Sequence, residues 1–109
     1  MSEQDLLFYV QLHVKPECVS EWKASLTDLI ERMAKEETFI SCTLHQDVQD
    51  ENRYTLYERW HEASVESFIA NQVTAKAYRH AYEASLPGWL QTPRTASIVR
   101  YVQEWRGRK

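Results

Sequence analysis

Residues 53–60, with the sequence RYTLYERW, alternate along a predicted strand and place Glu58 and Trp60 on the same face. This face is the more apolar one, so we expect it to point towards the helices. A carboxyl group among apolar neighbours has its pKa raised by desolvation unless a cation or hydrogen-bond donors hold its charge, and such groups are enriched at functional sites. The pattern therefore leaves two interpretations of Glu58. It is either a functional group, or a structural one at the sheet edge that pairs with Arg79, Arg100 or another surface cation.

Trp60 ends this strand and is followed by two short predicted helices, which could part at residues 71–73. The first of them carries Phe68 on its apolar side. An indole in this place is predicted to lie at the mouth of a space between sheet and helices. It either forms part of the core or stacks on a planar substrate with its N–H turned towards an oxygen.

Four segments have the composition and alternation of strands. They are residues 6–14, 39–47, 53–60 and 95–105. The polar loop between the second and third segments is too short for a crossover and adequate for a hairpin, so these two strands should be antiparallel neighbours.

Helix signals separate the strands. Pro16 suits the start of a long helix that runs to about Lys35 and carries an apolar stripe. Ser64 and Thr74 are predicted to cap the two shorter helices, and Pro87-Gly88 is predicted to end the second. The order βαββ(αα)β predicts an α+β fold of the ferredoxin-like type, with an antiparallel four-stranded sheet covered by helices on one face.

The other face of the sheet is predicted to be bare. On the first strand it carries Leu7, Tyr9, Gln11 and His13, which are too apolar to be fully wet and too polar for an ordinary core. Two such faces packed together in a twofold dimer would bury one another, so we predict a homodimer.

Composition limits the function classes. The 109 residues fit a single domain, 1–109, and the only basic cluster is the tail 106–109. A net charge of −3 shows no nucleic-acid footprint, and no apolar run approaches a membrane span, so we expect neither nucleic-acid nor membrane partners and a cytoplasmic location. The two glycines exclude a glycine-rich phosphate loop. Neither a metal site nor a cofactor is predicted, and Cys18 and Cys42 are expected to be reduced thiols.

The motifs VKPE at residues 14–17 and LHQDVQDENRYTLYERW at 44–60 resemble the signature of the antibiotic biosynthesis monooxygenase family. The similarity extends over nearly the whole chain. It implies a dimeric α+β barrel with a pocket between the sheet and the helices of each protomer. The family includes cofactor-independent quinol or anthrone monooxygenases, haem-degrading enzymes and a signal-molecule isomerase.

Resemblance to the polyketide-oxidising branch is partial. Trp60 and Arg79 match its tryptophan and arginine, whereas Leu56 stands where that branch has asparagine. The haem-degrading branch fits less well, because this chain has no asparagine on the first strand, and Ile69 stands at its tryptophan position. His80 falls near the position of the haem ligand, but Arg79 takes that position when the motifs are aligned.

The resemblance implies roles for the predicted third helix. Arg79 could stabilise a substrate anion, because a guanidinium stays charged when partly buried. Tyr78 and Tyr82 could donate phenolic hydrogen bonds, and His80 is a candidate for proton transfer because it titrates near neutral pH. Adjacent helical residues point about 100° apart, so Arg79 and His80 are not expected to face the same pocket.

Three functions remain open. The first is a cofactor-independent monooxygenase that oxidises a small aromatic phenol or quinol, with Trp60, Arg79 and His80 as catalytic candidates. Its substrate-contacting candidates are Leu56, Glu58, Phe68, Tyr78 and Tyr82. The second is a ligand-binding or stress-response module without turnover, and the third is haem capture and breakdown.

Overall fold

The computed structural model describes residues 5–74 and 76–108, and it does not describe the side chain of Thr74. The strands are β1 (Asp5–His13), β2 (Phe39–Gln46), β3 (Arg53–His61) and β4 (Thr95–Arg100). The helices are α1 (Val19–Met33), α2 (Val65–Phe68) and α3 (Ala77–Trp89). A 3-10 turn (Pro16–Cys18) precedes α1, and a π-helical segment (Ile69–Thr74) continues α2.

The four strands form one antiparallel sheet in the order β2-β3-β1-β4. In β1, Val10 pairs with Leu56 of β3 on one side and with Ala96 of β4 on the other. The hairpin of β2 and β3 is present, with Leu44 opposite Leu56. The predicted ferredoxin-like α+β fold is therefore confirmed.

The core lies between one face of the sheet and the helices. Alternate residues of β1 and β3 point into it, as their sequence pattern predicted, and α1 adds its apolar stripe. The core side chains of these three elements are Leu6, Phe8, Val10, Leu12, Tyr54, Leu56, Trp60, Trp22, Leu26, Leu29 and Met33. At about 25 cal/mol per Å² of apolar area, burial of this kind is the main force that holds the helices on the sheet.

The opposite face of the sheet carries a mixed surface. Tyr9 is 44% exposed, and its ring lies 4.8 Å from that of Tyr57, between centroids. At one end of this face the buried carboxylate of Asp5 is held by Arg59 Nη2 at 3.0 Å and His61 Nδ1 at 3.2 Å. Helices thus cover one face, as predicted, and leave a partly apolar face on the other side.

The end of α3 differs from the prediction. The helix continues through Pro87 and Gly88 to Trp89, although this pair was expected to end it. Contacts with the start of the first helical region explain the extension: the Lys15 N–H donates to the Trp89 carbonyl at 2.8 Å, and Lys15 Nζ donates to the Gly88 carbonyl at 3.1 Å. These tertiary bonds satisfy carbonyls that a free helix end would leave to solvent.

Of the two caps predicted for the shorter helices, one is confirmed and one is wrong. Ser64 caps α2, accepting from the Ser67 N–H at 3.0 Å. Thr74 was expected to cap the next helix, but it belongs to the π-helical segment, and α3 begins at Ala77 after Lys76, which makes no side-chain cap bond.

β4 is shorter than the predicted segment 95–105. Its last residue, Arg100, pairs with Leu6 of β1. Residues 101–105 follow the strand without regular secondary structure. They carry the exposed side chains of Val102 and Trp105.

Candidate active site

A small hollow lies between the sheet and helices α1 and α3, with a volume of about 70 Å³. Such a volume holds about two waters, given that each occupies ~30 Å³ in the liquid. Its walls are aliphatic apart from two carboxyl groups, one phenol and two guanidinium groups. The lining residues are Val10, Leu12, Leu26, Leu29, Ile30, Met33, Leu56, Glu58, Arg79, Tyr82, Glu83 and Arg94.

Glu58 brings a carboxyl group into this apolar setting from the middle of β3. Desolvation by burial raises its pKa, and the Trp60 N–H with the cations Arg79 and Arg94 offsets part of that rise. Glu58 Oε1 accepts from Trp60 Nε1 at 3.0 Å. Among the described residues Glu58 makes no close ion pair, but Arg79 and Arg94 are near enough to lower its pKa. The interpretation of Glu58 as a structural carboxylate near Arg79 therefore stays a prediction.

Trp60 is completely buried at the end of β3. Ring edges of Phe39 and Phe68 lie against it, at centroid distances of 5.2 and 5.1 Å, and the Arg79 guanidinium lies over the ring at 5.5 Å. The indole therefore neither stands at the mouth of the hollow nor lines it, in contrast to the prediction. Its neighbours occupy the positions that a stacked substrate would need.

Arg79 lies on α3, where its guanidinium also covers Phe68 at 5.4 Å. Two of its nitrogens, Nε and Nη2, are buried and have no hydrogen-bond partner among the described residues. Leaving one buried N–H unpaired costs ~1–3 kcal/mol, and native structures contain few such groups. Arg79 also lines the hollow, so part of its side chain faces that space.

Tyr82, one turn further along α3, lines the same hollow and is buried. Its hydroxyl oxygen accepts from Trp22 Nε1 at 3.1 Å. Burial raises the pKa of Tyr82 to about 12, so the phenol stays protonated at neutral pH. Since the oxygen is engaged as an acceptor, the hydroxyl proton can point to a ligand.

Tyr78 and His80 lie outside the hollow. The Tyr78 hydroxyl donates to Glu36 Oε1 at 2.9 Å, and Lys76 Nζ binds the same carboxylate at 3.0 Å, which ties the start of α3 to the end of α1. His80 is exposed, and its Nε2 lies 3.3 Å from the Val73 carbonyl oxygen. The two residues flank Arg79 on α3, and neither of them lines the hollow. The geometry therefore does not support His80 as the group that transfers a proton in the hollow.

Comparison with protein families identifies the chain. The sequence model described as antibiotic biosynthesis monooxygenase matches residues 7–81. This chain belongs to that family. No curated protein matches the sequence.

Solved structures of this family and of similar proteins share the fold. A conserved protein from Methanosarcina mazei is 23% identical and superimposes with a TM-score of 0.78, over 90% of this chain and 93% of that one. SnoaB of Streptomyces nogalater, a cofactor-independent oxygenase studied as a mutant, is 14% identical with a TM-score of 0.78, over 93% of this chain and 96% of that one. Rv0793 of Mycobacterium tuberculosis is 17% identical with a TM-score of 0.78, over 92% of this chain and 97% of that one. At these identities the likeness shows the fold alone.

Sequence reasoning missed several residues of the hollow in this family member. Arg94 and Glu83 line it together, and α1 contributes four aliphatic side chains. The sequence position of Arg94, directly before the edge strand β4, could have indicated its role, because a long side chain at the start of an edge strand can reach the helices. Only the register of β4 against β1 shows that it does.

Metal and thiol chemistry have weak support in the described residues. They contain no cluster of three or more side chains suited to hold a metal ion. Cys18 and Cys42 are free thiols, and burial with the nearby Glu58 raises the pKa of Cys42 to about 12, which keeps it in the unreactive thiol form. None of the described helices is long and apolar enough to cross a membrane.

Haem does not fit the hollow as its walls stand. A hollow of about 70 Å³ is far smaller than a porphyrin, and His80 faces away from it.

The raised pKa of Glu58 gives a pH-dependent prediction. The folded protein binds this proton more tightly than the unfolded chain does, so the stability it contributes is present below the unfolded pKa and is lost as the pH rises through the folded pKa. Glu58→Gln keeps an acceptor for the Trp60 N–H and removes the charge. We expect it to raise the Tm at about pH 8 and to change it little at about pH 4, measured by differential scanning calorimetry.

The control for this prediction is Glu31→Gln, which neutralises an exposed carboxylate on α1. Its effect on Tm should be small at both pH values. A Glu58→Gln variant that is less stable than the natural protein at the higher pH would show that the charge is well solvated or paired.

Proposed function

We propose that this protein is a cofactor-independent monooxygenase that uses O₂ to oxidise a small aromatic phenol or quinol. The observation that supports it most is the guanidinium of Arg79 at the edge of a small hollow, with two buried nitrogens that have no hydrogen-bond partner among the described residues. The same hollow contains a carboxyl group of raised pKa, Glu58, and a protonated phenol, Tyr82. SnoaB, a structure of similar fold, is a cofactor-independent oxygenase, which agrees with the proposal.

In this proposal Glu58 removes the first proton. Its raised pKa makes it a better base near neutral pH than an ordinary carboxylate, and a substrate that fills the small hollow would displace the water there. The resulting substrate anion is stabilised by the guanidinium of Arg79 and by a hydrogen bond from Tyr82. Glu58 thus replaces His80 as the candidate base, because it lies in the hollow and His80 does not.

The oxidation itself is a reaction between the anion and O₂. The anion transfers one electron to O₂, and the radical and superoxide combine to form a carbon–oxygen bond, which gives a hydroperoxide. Loss of water then leaves a carbonyl, so that one oxygen atom enters the product and the other enters water. The substrate supplies all four electrons that reduce O₂, and the protein supplies charge stabilisation and a dry environment.

Trp60 acts in this proposal as a positioning residue. Its N–H holds Glu58 Oε1, and its ring supports the guanidinium of Arg79. Phe68 contributes the second ring beneath Arg79, and Leu56 forms part of the wall. Tyr78 holds α3 against α1 through Glu36, outside the hollow.

Oxygen consumption tests the proposal. The natural protein, in buffer containing a chelator, is incubated with a panel of dihydroxynaphthalenes and anthrones in an oxygen electrode, and products are analysed by mass spectrometry. We expect uptake of O₂ with conversion of a CH₂ carbon or a ring C–H carbon to a carbonyl. Thermal stabilisation by the same compounds without any oxygen uptake would favour the ligand-binding module instead.

We also propose that the protein is a cytoplasmic homodimer that uses the uncovered sheet face as its interface. Tyr9 stands in the middle of β1 on that face, exposed and in contact with Tyr57. Tyr9→Lys would place a charge in the buried interface, and we expect a monomer at micromolar concentration where the natural protein sediments as a dimer.

The matched control for the dimer is Ala84→Lys, which adds the same charge to an exposed position of α3. It should leave the sedimentation coefficient unchanged. If the natural protein is already a monomer, or if both variants sediment alike, the open face is not the interface.

A further inference from the structure

The hollow and a groove on the surface share one wall. The groove has a volume of about 530 Å³ and lies between the end of α3 and the segment that leads into β4. Glu83 and Arg94 line both the groove and the hollow. Among the described residues no other one lines both spaces, so these two side chains form the wall that the spaces share.

An ion pair forms this wall. Arg94 Nη1 donates to Glu83 Oε2 at 2.8 Å, and Nη2 donates to the other carboxylate oxygen, Oε1. The side chains remain 35% and 45% exposed, respectively. Exposed pairs of this kind contribute little to stability, typically below ~1 kcal/mol, so opening the pair costs little.

The backbone on both sides of the pair is suited to a small movement. Pro87 has no N–H to donate to the carbonyl of Glu83 four residues earlier, so the helix lacks one of its bonds at this place. The segment with Arg94 follows Gln91, which is fixed by bonds to the His13 and Val14 carbonyls. Residues 92–94 have no regular secondary structure and end at β4. A displacement of these residues would leave the sheet and the Gln91 anchor in place.

A ligand needs such an opening. The hollow of about 70 Å³ is about half the size of the ~150 Å³ cavities that bind benzene in engineered proteins. With the pair separated, the hollow joins the much larger groove, and the joined space is ample for a bicyclic aromatic compound.

We propose that the Glu83–Arg94 pair is the gate of the hollow and that Arg94 binds the carboxylate of an aromatic hydroxy acid in place of Glu83. This inference rests on the proposed function, whose substrate class it narrows. The fork of a guanidinium matches a carboxylate with two parallel bonds, and the Glu83 carboxylate already occupies it in this way. A substrate carboxylate would therefore reproduce the bonds that it breaks.

The charges inside the hollow agree with an anionic ligand. Arg79 and Arg94 both act on Glu58 as positive charges, and the raised pKa of Glu58 limits how far it neutralises them. Once Glu83 has moved away from Arg94, the wall carries an excess of positive charge. A substrate with its hydroxyl group at Arg79 and its carboxylate at Arg94 would satisfy both guanidinium groups.

The test is ligand binding without oxygen. 3-Hydroxy-2-naphthoic acid and 2-naphthol are titrated into the natural protein and its variants under nitrogen, with binding measured by calorimetry. Arg94→Gln is expected to weaken binding of the acid by about 10- to 100-fold, the effect of losing a charge-assisted bidentate contact, and to change 2-naphthol binding by less than about twofold. Glu83→Gln is expected to strengthen binding of the acid, because the competing carboxylate is gone.

Asp28→Asn is the control, since it removes the carboxylate of another arginine pair, Arg32–Asp28, on α1 away from both spaces. It should alter neither affinity. Equal effects of Arg94→Gln on the two ligands, no effect on either, or no binding by the natural protein would overturn the proposal. Because oxygen is absent, selective loss of acid binding with no oxygen uptake in air would support the gate and refute the oxygenase. Oxygen uptake with unchanged selectivity in Arg94→Gln would do the reverse.

Discussion

Arg79→Met is expected to lower kcat/KM for oxygen uptake by about 100-fold or more, the usual loss when a preorganised charge-stabilising donor is removed. The substrate anion would no longer face a cation, because Met has a similar length and no charge. The measurement is the initial rate in an oxygen electrode with the best substrate of the panel. Arg79→Lys keeps the charge and loses the planar donors, so its rate should fall between those of the natural protein and Arg79→Met.

Stability separates this functional role from a structural one. Two buried nitrogens of Arg79 have no hydrogen-bond partner among the described residues, and an unsatisfied buried donor destabilises the folded state. Met removes that cost, and its sulfur can still pack on the rings of Trp60 and Phe68. We therefore expect the Tm of Arg79→Met to equal or exceed that of the natural protein while activity is lost. A fall in Tm of the same variant, with activity retained per folded molecule, would mean that Arg79 is a structural residue.

Arg32→Met is the matched control for charge and size. Arg32 lies on the exposed side of α1 and pairs with Asp28 at 3.2 Å. Its replacement should leave the oxygen rate unchanged. A comparable loss in both variants would point to a general effect of net charge on substrate encounter and would contradict a specific contact at Arg79.

The fold was largely predictable from sequence because each element carries its own periodic signal. In β1 the alternation that buries Phe8, Val10 and Leu12 is visible in the sequence, and the same period in β3 selects the face of Glu58 and Trp60. A hairpin between β2 and β3 followed from loop length alone. Local sequence signals were sufficient to predict a residue's burial or pairing wherever these depend on the periodicity of its own strand or on the length of the adjacent loop.

Predictions based on local signals failed where tertiary contacts decide. Pro87-Gly88 is a local stop signal, yet bonds from Lys15 carry the helix past it. Trp60 stands at the end of its strand in sequence, but Phe39 and Phe68 come from other elements and bury it completely. Depth in the core is set by residues distant along the chain, which a single sequence does not reveal.

The candidate site was likewise predictable where local signals decide and unpredictable where tertiary contacts decide. Glu58, Arg79, Tyr82 and Leu56 were selected from the sequence, and the structure brings these four together around the hollow. Arg94 was missed because its place depends on how β4 pairs at the edge of the sheet. Trp60 was selected for stacking, and its contacts instead connect Glu58 to Arg79, by a hydrogen bond on the ring edge and a guanidinium over the ring. One side chain therefore supports both charged groups of the proposed reaction.

Trp60→Ala is expected to destabilise the protein by about 3–5 kcal/mol, the range for removal of a fully buried aromatic side chain. Small domains have a total stability of ~5–15 kcal/mol, so the loss is a large part of it. Three contributions add: the cavity left by the indole, the lost edge contacts with Phe39 and Phe68, and the loss of the N–H that holds Glu58. The free energy of unfolding is measured by urea denaturation at a fixed protein concentration.

Two variants make the Trp60 result specific. Trp105→Ala removes the same side chain from a position that is 80% exposed, and its effect should stay within about 0.5 kcal/mol. Trp60→Phe keeps a ring in the core and removes the N–H, so it should cost less than alanine while raising the pKa of Glu58 further, because the donor that lowers that pKa is gone. If Trp60→Ala and Trp105→Ala cost the same, the indole is not the centre of this core. If Trp60→Phe leaves the pH dependence of stability unchanged, the bond to Glu58 does not hold the carboxylate in solution, and the connection between the two charged groups fails with it.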